Sequence, residues 1–83
     1  MAGPTLSTEL IAELSLLMQF PLHNLQTGLK LHHEAARETL AAAERLYSKG
    51  MITQTDGGYL TDRGVEASMA ATRLMHALNP VIN

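Results

Sequence analysis

The chain has 83 residues, 46% of them hydrophobic, with eight acidic and six basic side chains and no cysteine. That length allows one domain, which buries only about 60% of the surface its unfolded form exposes, so a partner subunit would help it. The composition excludes a disulfide framework, a thiolate metal site and any apolar run near the ~18 residues of a membrane span, and a net charge of −2 without a basic run weighs against nucleic-acid binding.

The opening residues, Met1-Ala2-Gly3-Pro4-Thr5, carry neither the charged nor the apolar part of a signal peptide, so the cytoplasm is the expected compartment. Thr5, Ser7 and Thr8 are candidate N-caps for a first helix over about 7–19. Leu6, Leu10, Ile11, Leu14, Leu17 and Met18 recur at helical spacing as its core stripe. Glu9, Glu13 and Ser15 fall off that stripe, and so does Leu16. Pro21 ends the helix, because proline disfavours helical geometry in Phe20 before it.

Leu22, Leu25 and Leu29 suggest a short second helix over about 22–29, weakened by Gly28. The alternation Leu29-Lys30-Leu31-His32 leaves an extended reading open for residues 29–34. A third helix covers about 35–49, starting near Glu34 or Ala35. Its expected core side is Ala36, Thr39, Leu40, Ala43, Leu46 and Tyr47. Arg37, Glu38, Ala41, Ala42, Glu44, Arg45 and Ser48 fall opposite. Gly50 suits the left-handed residue just past a helix end, and Lys49 suits the negative end of the helix dipole. Met51 to Thr61 reads as a hairpin turning at Asp56-Gly57-Gly58, a strong local signal. Thr61 caps a last helix over about 62–78, and Pro80 stops it.

The phrase Leu46-Tyr47-Ser48-Lys49-Gly50-Met51-Ile52, a Gly-rich hairpin and then Tyr59-Leu60-Thr61-Asp62-Arg63-Gly64 resemble the winged-helix pattern over residues 20–66. In that pattern a recognition helix ends on glycine, and a two-stranded wing closes on "hydrophobic-Leu-Thr-x-x-Gly". Gly28-Leu29-Lys30-Leu31-His32-His33 and Asp56-Gly57-Gly58-Tyr59-Leu60-Thr61-Asp62 also resemble a small gammaproteobacterial family of about this length, whose members carry a DNA-binding label. The resemblance implies a mainly α domain with a small β-hairpin: a winged helix-turn-helix, with a three-helix core, a wing and a C-terminal helix. It further implies a role in DNA binding or in a transcription complex, with the third helix as the reading element.

On that reading Arg37, Ala41, Arg45 and Ser48 form an outward stripe at i, i+4, i+8 and i+11. The arginines can meet guanine edges or phosphates. Lys30 and Lys49 are further candidates for nucleic-acid contact. The bland reading is a solvated face on which Glu34, Glu38 and Glu44 balance the arginines. A wing carrying Thr55, Asp56, Gly57 and Gly58 would repel phosphate, so it is expected to be structural. The alternative function is a protein-interaction module that keeps the fold and binds no DNA.

No nucleophile motif, phosphate loop or paired-carboxylate cleft points to an enzyme, and no cofactor is expected. Neither is a metal. His32 and His33 would diverge on a helix, and no His-x3-His spacing occurs. On the last helix Ala67, Ala71, Leu74, Met75 and Leu78 form an apolar arc that Val65, Met69 and Thr72 widen beyond one core's need. With Leu16 from the first helix, that set is the expected interface of a homodimer.

Overall fold

A computed structural model of the chain describes residues 5–79. It contains α1 (Thr8–Leu17), β1 (Leu29–Lys30), α2 (Arg37–Ser48), β2 (Ile52–Gln54), β3 (Gly57–Leu60) and α3 (Asp62–Leu78). The domain is mainly α, with a small antiparallel sheet in the order β1-β3-β2. No helix among the described residues is long and apolar enough to cross a membrane.

Local chemistry accounts for most boundaries. Of the three candidate caps on α1, Ser7 does the work: its Oγ accepts from Leu10 N–H at 3.0 Å. At the end of α2, Gly50 N–H donates to the Tyr47 carbonyl at 3.0 Å and Met51 N–H to the Leu46 carbonyl at 2.9 Å. That reciprocal pair is a Schellman ending, with Gly50 at φ +75°. Thr61 caps α3 by accepting from Gly64 N–H at 3.0 Å. Its own hydroxyl donates to the Gly50 carbonyl, and its N–H donates to the Met51 carbonyl. One threonine thus joins the end of α2, the approach to β2 and the start of α3.

The helix expected over 22–29 does not form. Asn24 Oδ1 accepts from Gln26 N–H at 3.1 Å, an Asx turn, and the Asn24 carbonyl accepts from Thr27 N–H. Gly28 sits at φ +67°, outside helical geometry. Leu29 and Lys30 then pair with Gly58 and Gly57 on β3, so the extended reading holds for those two residues. A β-carbon on Gly28 would strike the Gly58 carbonyl, and one on Gly57 the Leu29 carbonyl. Gly28 and Gly57 therefore let β1 lie against the hairpin. Leu31 N–H extends this contact by donating to the Asp56 carbonyl at 2.8 Å.

The core comprises Leu16, Leu17, Phe20, Ala42, Ala43, Leu46 and Ile52. Two helices are rotated from their expected faces. On α1, Leu16 is 1% exposed while Ile11 is 50% exposed, so the buried arc runs through Glu13, Leu16 and Leu17. Leu16 is therefore a core residue of the protomer and is withdrawn from the dimer interface. On α2, Ala42 is fully buried and Tyr47 is about half exposed. Shifting each face by about one residue lets α1 and α2 pack closely through small and branched side chains.

Candidate functional site

The expected DNA-reading stripe lies on α2, but it is divided. Arg37 and Ser48 are exposed, and Ala41 between them is partly buried. Arg45 turns toward α1. Its Nε donates to Glu13 Oε2 at 2.8 Å, and its Nη2 donates to the Glu9 carbonyl at 3.1 Å. Lys49 Nζ donates to the other Glu13 oxygen, Oε1, at 2.5 Å. One carboxylate thus holds two cations, one per oxygen, at the seam of the two helices.

Glu13 is only 7% exposed at its side chain, whereas Arg45 and Lys49 are 33% and 50% exposed. Burial by itself would push this carboxyl up. The hydrogen bonds from Lys49 and Arg45, reinforced by their charges, outweigh burial and hold it below the ordinary glutamate value. An ionised Glu13 is therefore built into the native state, and Arg45 and Lys49, two of the four cations of the expected site, are committed to it.

Lys30 stands apart. It lies on β1, with its ammonium 3.9 Å from Asp56 Oδ2 and both groups well exposed, an arrangement that contributes little. It lines a cleft with Leu40, Glu44 and Asp56 beside the hairpin. Ala41, Arg45, Ser48 and Lys49 line a neighbouring cleft that also includes Glu44. Lys30 therefore stands in a different cleft from these four candidates.

The other expected site, on α3, is also redrawn. Ala71 is buried and Ala67 packs partly against the core. Leu74, Met75 and Leu78 are 56%, 39% and 67% exposed. Gly64, Ser68 and Ala71 are the buried residues of the helix, and Ser68 Oγ donates to the Leu17 carbonyl at 3.4 Å. Met75 and Leu78 follow Ala71 at i+4 and i+7, on the same side of the helix. The exposed patch is therefore the core-facing arc running past the end of the core, and every residue from Arg73 to Asn79 is exposed. It is not a second apolar face.

Sequence reasoning missed Glu13, which falls with Glu9 off the expected core stripe of the first helix. The available signal was Leu16: a leucine on the supposed polar side means that the face has been drawn wrongly. Sequence reasoning leaves residues 29–34 open; His32 and His33 lie in the turn that precedes α2. Their rings stack, with centroids 4.4 Å apart.

No curated protein and no solved structure matches this chain. Residues 4–79 match a family described as a family of unknown function, DUF5669, and the chain belongs to that family.

Proposed function

We infer that the domain is a protein-interaction module of winged-helix build that pairs with a second copy of itself through the C-terminal half of α3. The observation that carries this reading is the apolar arc of Leu74, Met75 and Leu78, open to solvent beyond Ala71. A small domain gains from burying such a patch, and a two-fold pair is the commonest way to do so. The arc contains no charged residue, so bringing two copies together sets no like charges inside the interface. Arg73 and His76 lie on the other side of the helix. The division of the α2 cations, two of them held by Glu13, adds support for a role other than reading DNA.

Sedimentation velocity of the full chain at micromolar concentration tests the reading. The parent is expected to run as a dimer. Leu74→Glu is expected to run as a monomer with unchanged helical circular dichroism, because Leu74 lies outside the core. A monomeric parent sinks the proposal.

The DNA reading retains one supporting observation. The strand order β1-β3-β2 places a hairpin after α2, and α2 still presents Arg37 and Ser48 on an exposed strip. Titration of labelled duplex at low salt tests it, with weaker binding by Arg37→Ala as the expected result and no binding by the parent as the result that removes it.

A further inference from the structure

We propose that the turn between β1 and α2 binds a divalent transition-metal ion of the zinc class through His32, His33 and Glu34. The objection to these histidines was that neighbours on a helix diverge. They are not on a helix. Ala35 N–H donates to the His32 carbonyl at 2.9 Å, and Glu34 N–H donates to His32 Nδ1 at 3.2 Å. These bonds curl the turn and bring the three side chains to one side.

One ligand atom from each of the three residues lies within 4.8 Å of the other two. His33 Nε2 is already 3.7 Å from Glu34 Oε2. Ligands around a tetrahedral zinc ion stand roughly 3.3 Å apart, given Zn–N bonds of about 2.0–2.1 Å. Closing the remaining gap needs the two stacked rings to rotate apart, with His32 coordinating through Nε2 because its Nδ1 accepts from Glu34 N–H. All three residues are exposed, so no packing opposes it.

The donor chemistry favours a borderline cation over calcium or magnesium, because two of the three ligands are imidazoles. Two histidines and one glutamate leave a tetrahedral ion one open position, as in open zinc sites rather than closed structural ones. Glu44 and Asp56 line the adjoining cleft with His32 and His33 and add negative potential there. The opposing charges near the turn are Lys30, on β1, and Arg37, at the start of α2.

The experiment is titration of the untagged full chain with Zn²⁺ alone, followed by calorimetry and by the histidine ring-proton signals in NMR. One ion per chain is expected, with His32 and His33 signals moving together. His32→Ala and His33→Ala should each weaken binding at least about tenfold. His23→Ala and His76→Ala, which alter the two histidines outside the turn, should bind like the parent. Absence of saturable binding at millimolar Zn²⁺ would overturn the site. So would equal loss in His23→Ala or His76→Ala, or binding unaffected by removal of His32 and His33.

Discussion

The α1–α2 seam and the free end of α3 handle polarity in opposite ways. At the seam a carboxylate is buried and made tolerable by two cations. At the end of α3 leucines and a methionine stand in solvent with nothing over them. The seam therefore satisfies itself within one chain, whereas the α3 end leaves its apolar arc uncovered by the chain's own described residues. Here one charged side chain is buried beside an apolar core, and large apolar side chains are exposed at the end of α3.

The sharpest way to break this contrast is to leave Glu13 without its partners. Arg45→Ala with Lys49→Ala should destabilise the domain by about 3–5 kcal/mol in urea unfolding, the typical cost of an uncompensated buried charge. A loss under about 1 kcal/mol would mean that water reaches Glu13 and that the seam is an ordinary surface pair.

Acid should act on the same group more gently. The folded pKa of Glu13 lies below its unfolded value, so its contribution is fully present above the unfolded value near ~4.3. It is lost as pH falls through the lower folded value. Stability measured across that window should decline in the parent and decline less steeply in Glu13→Gln. Parallel curves would count against the assignment.

The smallest effect belongs to the other region. Leu78→Ala should move the urea midpoint of dilute, dissociated protein by less than about 0.5 kcal/mol, as for a surface change. Leu16→Ala should cost about 2–5 kcal/mol, as for a core leucine. Similar losses at the two positions would show that α3 is sandwiched within the protomer.

Much of this was legible in the residues, for identifiable reasons. Caps, the glycine ending of α2 and the Asp-Gly hairpin are local signals, and Ser7, Gly50 and Thr61 act as their chemistry predicts. The rotation of a helix about its axis is not local. It is set by what packs opposite, so Ala42, neutral on any wheel, could be assigned to either side. Glu13 is harder still, because only the approach of Arg45 and Lys49 from 32 and 36 residues away makes its burial tolerable. Residues 22–29 show the reverse error. Three leucines at helical spacing outweighed Asn24 and Gly28, although the glycine's conformation was needed by a strand pairing distant in sequence. The apolar content of α3 is legible in the sequence, but its exposed end marks where the core stops and not a second face.

The junction at Thr61 has a mechanical consequence. Seventeen residues of helix extend roughly 25 Å, and the exposed arc occupies the far end of that rod. A tilt of about 10° at the Thr61 end displaces Leu78 by roughly 4 Å, the width of a side chain. The Thr61 hydroxyl ties the start of that rod to the carbonyl of Gly50, just past the end of α2, and Ser68 and Ala71 hold its first half against the core. A strain where α2 ends therefore reaches the tip of α3 only as far as the contacts of Ser68 and Ala71 with the core yield.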